Sequence, residues 1–317
     1  ALTGTTSGRR NTALGAYASM DNTTGESNTA LGYVGLRNNT IGSNNTAVGH
    51  GAMFDNIDGD ANAAFGRESL TDNVDGSGNT ALGPYALQTN VAGAGSTAVG
   101  YQAMANANDS GTGFSTYNTA VGYHALQGSG TPASNTGVQN TAIGHSALTA
   151  MTSGDFNVGL GYNSLSNTTT ADGNVGVGTS ALGAAIANGF NTGIGHQALA
   201  SNNAGANNTA LGANALYLST GANNVAIGYQ TGDALITGNS NILVGSGIDA
   251  SAVGASNELN IGNLIYGDLA NNEVFLDAPA AAAPDADLAN GQLTFWVDAA
   301  NDEIELKAKD SAGDVIN

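Results

Sequence analysis

Three of the four histidines, His50, His145 and His196, occupy equivalent places, each directly after a glycine that ends a short apolar run. Imidazoles brought into register by several coils or several chains could hold a metal ion. No His-x-His pair or neighbouring carboxylate completes such a ligand set, however, and the same place is filled by Tyr33, Tyr101, Tyr123, Tyr162 and Tyr229. A position shared by histidine and tyrosine reads as a packing site with a polar tip. Calcium is the second candidate, at Asp55, Asp58 and Asp60 in one acidic turn and at Asp72 and Asp75 in the next. These turns lack the bidentate glutamate of an EF-hand loop and the glycine-aspartate nonapeptide of calcium-binding β-rolls. Solvated turn residues are the expectation, and no metal is assigned.

Paired carboxylates on strands would serve glycoside cleavage, but of the 14 acids in residues 1–262 nearly all fall in turns. No nucleophile elbow, phosphate-binding loop or metalloprotease helix is present, and strings such as Gly176-Val177-Gly178 belong to a repeat rather than to a dinucleotide fingerprint. The expectation is a protein that is not an enzyme and uses no cofactor. Six Lys+Arg against 25 Asp+Glu give a net charge of −19, and such a surface repels nucleic acid and anionic membranes. The absence of cysteine excludes disulfides and thiolate metal sites. No apolar stretch approaches the ~18 residues of a membrane span, and Ala1-Leu2-Thr3-Gly4 does not open a signal peptide.

The elements that position these residues are set by an internal repeat. Asn11-Thr12-Ala13-Leu14-Gly15 returns as Asn28-Thr29-Ala30-Leu31-Gly32 and as Asn45-Thr46-Ala47-Val48-Gly49. The glycine recurs fifteen times from Gly15 to Gly262, at a spacing of 17 for eleven of the fourteen intervals, 22 for two and 16 for one. The residue before it is always apolar, and copies two to twelve carry Leu or Met four residues after it, from Leu36 and Met53 to Leu216. Turn residues such as Asn22-Thr23-Thr24-Gly25 lie between. Two short strands and two turns per repeat make one coil of a parallel β-solenoid, an all-β fold.

Strand alternation assigns the faces. In Asn-Thr-Ala-Leu-Gly the Thr and Leu share one face, the Ala and Gly the other. The Thr place becomes Val158, Val175, Val225 and Ile242, so that face is expected to point inward. The Ala/Gly face is then free for a close neighbour. The opening Asn, present in thirteen of fifteen copies, is expected to be a corner residue that tolerates left-handed geometry and stacks into an amide ladder. Coils about 4.8 Å apart give a thin rod on the order of 65–70 Å long. A homotrimer, intertwined or side by side, is the economical way to cover it.

The units Asn118-Thr119-Ala120-Val121-Gly122-Tyr123-His124-Ala125-Leu126 and Asn224-Val225-Ala226-Ile227-Gly228 resemble the repeats of phage tail fibres. They are also similar to the head repeat of YadA-type trimeric autotransporter adhesins. The resemblance covers about four-fifths of the chain, and Asn257-Glu258-Leu259-Asn260-Ile261-Gly262-Asn263 looks like the usual exit from such a repeat. It implies a left-handed β-roll, three chains about one axis, and a structural or receptor-contacting role in a virion. Residues 1–317 show no heptad stalk, membrane-anchor barrel or self-cleaving C-terminal domain, so the expectation is the phage fibre ahead of a bacterial surface adhesin.

Four segments follow: a lead-in over 1–10, the fifteen repeats over 11–262, an exit strand and Ala/Pro linker over 263–290, and a hairpin knob over 291–317. The knob pairs Gln292–Asp298 with Glu303–Lys309, and Trp296 anchors its core. The two long intervals are consecutive and place extra residues in 106–117 and 127–139. Loops on a rigid scaffold commonly carry binding, so Asp109, Phe114, Tyr117 and Thr131 are the receptor-contact candidates. The expected partners are further copies of the chain, other virion or fibre proteins, and a host surface glycan or protein. An ice-binding solenoid built on Thr12, Thr29, Thr46, Thr80 and Thr97 is a third reading, weakened by the expected inward direction of that rank.

Overall fold

The computed structural model describes Gly4 and residues 6–107, 114–184 and 188–276, together with the strand segments 293–298, 303–309 and 315–316. The chain is a parallel β-solenoid of about 14 coils of about 17 residues. Among the described residues there is no α-helix, only a 3₁₀ turn at Pro132–Ser134. The chain divides into two compact units, Ala1–Phe190 and Asn191–Asn317.

Each coil contributes one strand of three residues in the Thr-Ala-Leu place (four in Glu258–Ile261), and within each unit successive strands pair in parallel in strict register. In the first unit Thr12 lies over Thr29, Ala13 over Ala30 and Leu14 over Leu31, and the same columns continue through Val158–Leu160 and Val175–Val177. The second unit repeats the arrangement from Thr192–Ile194 to Ile242–Val244 and Glu258–Ile261. The glycine that closes each strand serves two needs at once. Gly15 has φ 136°, a region open only to glycine, and a Cβ there would lie 2.2 Å from the carbonyl oxygen of Gly32 in the next coil.

The second strand expected in each coil does not form. The residues after the glycine instead alternate through the left-handed region: Val34 at φ 50° and Leu36 at φ 50°, Leu70 at 52°, Leu165 at 52°. Each such residue costs on the order of 1–2 kcal/mol, a cost invisible in a Leu-rich pattern. Bonds between coils offset it, as where Leu36 N–H donates to Ala52 O at 2.9 Å and Val34 N–H to Ala16 O at 3.0 Å. Farther round, three successive N–H groups of Thr23, Thr24 and Gly25 converge on the carbonyl of Thr40.

The assignment of faces is also reversed. Ala30, Ala47, Ala64, Ala81 and Ala98 are buried, while Leu31, Phe65, Leu82 and Leu160 stand 39–46% exposed. The interior is filled from the other side by the left-handed leucines, and Leu36, Leu70, Leu87, Leu148, Leu165 and Leu182 are almost fully buried. Space decides the matter. A Cβ on Gly159 would lie 3.2 Å from Leu148 Cγ, and one on Gly176 would lie 3.1 Å from Leu165 Cγ, so opposite a leucine the strand turns only Ala or Gly inward. Leu243 is buried in the same column, where Gly232 replaces the leucine.

The opening Asn is buried in coil after coil, and its amide both donates and accepts. Asn28 Nδ2 donates to Gly42 O at 2.7 Å and its Oδ1 accepts Asn45 N–H at 2.9 Å; Asn45 repeats both contacts with Gly59 and Asn62. The left-handed corner is not this Asn but the residue before it, for example Ser27 at φ 57° and Asn44 at 61°. A second buried column, Asn22, Asn39, Asn56, Asn73 and Asn90, links Nδ2 to Oδ1 from coil to coil at 2.6–3.1 Å.

After Glu258–Ile261 the pairing changes sense. Ile265–Asp268 and Glu273–Leu276 follow antiparallel, then Leu293–Asp298 and Glu303–Lys309, with Asp298 opposite Glu303 at the hairpin's turn end. The hairpin therefore extends a meander rather than standing alone. The Ala/Pro linker and the side chain of Trp296 lie outside the described residues. Gly176→Val is expected to cost about 1–3 kcal/mol by overpacking, clearly more than Val177→Thr on the outer face; urea midpoints of the two variants measure the difference.

Candidate functional site

Three surface features could carry function: the outward strand face, the two long coils, and the ranks of aromatic and acidic side chains. On the strand face, Thr29, Thr46, Thr80 and Thr97 are half-buried and alternate with a rank in which Leu14, Leu31, Leu82, Ile143 and Leu160 are exposed and Val48, Val99, Val121 and Val177 half-buried. Each step along the column is about 4.8 Å, so in the first unit alone, from Thr12 to Val177, this face is about 43 Å long and roughly 10 Å wide, on the order of 400 Å² of mostly apolar surface. That is the size of the largest apolar patch on a typical monomer, which is often functional.

In the first long coil Phe114–Ser115 pairs in parallel with Gly93–Ala94. Tyr117 sits at the left-handed corner at φ 48° and is 59% exposed. Asp109 and the side chain of Phe114 lie outside the described residues. In the second, Thr131 is exposed and precedes the Pro132–Ser134 turn; its carbonyl accepts Ser134 N–H at 3.0 Å and Ser129 Oγ at 3.2 Å. Asn135 fastens this loop to the preceding coil through Asn106 O. Among the described residues no hydrogen bond or ring contact joins Tyr117 to Thr131, so they are separate surface features and not one site. Inside the two coils the Asn column is broken by Ser96, whose hydroxyl meets Thr116 Oγ1. A cavity of about 30 Å³ opens there among Ser96, Thr116, Asn118 and Met104, room for a single water.

The rank after the glycine, expected to be packing positions, forms a continuous ring stack. Tyr101, Tyr123, His145 and Tyr162 follow one another at centroid distances of 5.2, 5.0 and 5.3 Å. Equivalent residues one coil apart are close to the stacking distance of aromatic rings, and that signal was available. His124 lies 3.9 Å from the Tyr123 ring centroid with its Nε2 buried and unpartnered. Burial and, secondarily, the nearby His145 hold its pKa below the ordinary histidine value.

The acidic turns do not converge. Asn38 Nδ2 donates to Asp55 Oδ1 at 2.6 Å, and Asp60 Oδ1 accepts Ser43 N–H at 2.6 Å. Asp58 and Asp75 lie at turn tips, and among the described residues no group of three His, Asp or Glu could hold a metal ion. Asp72 is driven above the usual carboxylate range, first by burial and then by Asp55 and Glu68. In the second unit an open cavity of about 370 Å³ is lined by Asp249, Glu258, Tyr266 and Asp268. Glu258 there is already engaged by the Ser251 N–H and hydroxyl.

Comparison with protein-family models, with curated proteins and with solved structures finds no match to the chain.

Two outcomes follow from the shifted groups. An acid whose folded pKa is raised contributes stability at low pH and loses it as pH rises through the raised value. Asp72→Asn is therefore expected to raise the unfolding midpoint at pH 7, with the gain over wild type shrinking as pH falls through the carboxylate range. For His124 the sign is opposite: its contribution is present above the ordinary histidine range and is lost as pH falls through the depressed value. Thermal unfolding of His124→Asn should show a flatter acid limb below pH 7 than wild type.

Proposed function

We propose that the chain is a structural fibre segment of a phage or phage-like particle, a rigid spacer built as a homotrimer, with host attachment through surface side chains. The observation that carries this is the outward apolar strand face. A soluble chain exposing such a stripe gains by burying it, and a flat face that repeats at every coil is self-complementary along its length. The expected inward Thr/Leu face had called for a partner at the Ala/Gly rank. The reversed faces move that surface to the Leu/Val/Ile rank and make it more apolar. The likeness of Asn118–Leu126 and Asn224–Gly228 to fibre repeats supports three chains and a virion setting. Attachment would be multivalent, weak contacts multiplied over chains and fibres.

The same architecture fits a trimeric bacterial surface adhesin, which an anchor or export segment elsewhere in the gene would favour. Ice binding gains one observation, since the Thr rank is outward after all. Its interleaving with Val158, Val175, Val225 and bulky leucines breaks the regular hydroxyl array such a surface needs, and a thermal-hysteresis assay separates it.

Sedimentation equilibrium should give the mass of three chains. Replacing outward residues with charge, as in a Leu82→Asp, Val121→Asp and Ile143→Asp combination, should yield monomers that keep their β-type circular dichroism. A monomeric parent chain would overturn the assembly.

A further inference from the structure

The corner residue that precedes the opening Asn forms a column of its own. Through the middle of the first unit it reads Gly95, Tyr117, Gln139, Phe156, Gly173 and Phe190, each with φ between 48° and 75°. The three aromatics are 56–67% exposed, although a solvent-facing left-handed corner asks for Gly or Asn and not for a ring. Two of them are arranged alike. A Cβ on Gly95 would lie 2.7 Å from Tyr117 Cδ1, and a Cβ on Gly173 would lie 2.8 Å from Phe190 Cδ1. Each ring thus leans along the column over a glycine of the preceding coil, rather than standing out from the corner.

We propose that this column is a carbohydrate-binding strip for an extended, neutral or amino-substituted glycan. The inference rests on the receptor-contact part of the fibre reading and commits it to a ligand class and a place. Aromatic rings held at a surface with much of their area in solvent offer what the C–H face of a pyranose needs. The coil step of about 4.8 Å is close to the length of one sugar ring, so Tyr117, Phe156 and Phe190, two steps apart, would meet alternate sugars about 10 Å apart. Gln139 stands exposed between Tyr117 and Phe156 with both a donor and an acceptor for vicinal hydroxyls. Asp155 and Asp172 precede Phe156 and Gly173 and chain to one another through Asp155 N–H to Asp172 Oδ1 at 2.8 Å. That charge disfavours uronic or sialic acids and favours uncharged or amino sugars.

The test is titration calorimetry of the full chain with soluble cello-oligosaccharides, chitosan oligomers and oligogalacturonates of two and six units. Six-unit neutral or amino oligomers should bind, at least about tenfold more tightly than two-unit ones, and the oligogalacturonates should not. Tyr117→Ala with Phe190→Ala should weaken binding at least about tenfold while leaving the unfolding midpoint and the solution mass unchanged. No binding by any of the oligomers, preference for the acidic one, or unchanged affinity in the double variant would overturn the strip. Loss of oligomer mass in the double variant without sugar would also overturn it, by making the column a contact between copies. A monomeric parent that still binds sugar would sink the trimer and leave the strip standing.

Discussion

Neighbouring coils are held in register by buried amides, and almost every other feature depends on that registry. Asn28, Asn45 and Asn62 each use side-chain donor and acceptor on the next coil. A slip of one residue would leave these polar groups buried without partners, at about 1–3 kcal/mol apiece. Columns are the result. Each coil position faces its own counterpart one repeat later, so a tolerable pairing is multiplied down the unit and so is an intolerable one. Glycine closes the strands because its counterpart's carbonyl stands where a Cβ would go.

The same registry makes the interior thin. A coil such as residues 28–44 encloses Asn28, Ala30, Leu36 and Asn39, and where the leucine is present the strand places Ala or Gly opposite it. The strand therefore turns its bulky residues outward, which gives a strongly acidic chain an apolar face. Charge sets the limits on what can meet the rest of its surface: Arg9, Arg10, Arg37 and Arg67 are the only cations before Lys307. Assembly along the apolar face and recognition by uncharged groups at the corners are compatible with that distribution.

The two long coils show how much departure the stack tolerates. Ser96 replaces the ladder amide where the insertions begin, and hydroxyl contacts with Thr116 and Asn118 carry the column across the gap. The scaffold absorbs extra residues because its coils are bonded one to the next and not to a central core. Side chains can therefore vary at corners and loops without disturbing the inner columns. Tyr117 and Phe190 are such variations, each paired with a glycine in the coil before.

The sequence by itself determined the repeat, the parallel stacking, the length of each coil, the recurrence of a leucine or methionine four residues after the glycine and the antiparallel pairing of residues 293–309. These follow from periodicity and local pattern, which are written in the order of residues. It identified Tyr117 as a surface residue through the interval lengths alone. Tertiary structure decided the faces. Alternation says only that Thr and Leu share a side and Ala and Gly the other; which side is inner depends on the room left by the leucine of another coil. It also decided that the second half-coil is a left-handed turn, because the bonds that offset such strain come from neighbours. The corner column emerged for the same reason. Gly95 and Tyr117 are separated along the chain by a whole long coil, and only stacking makes them adjacent.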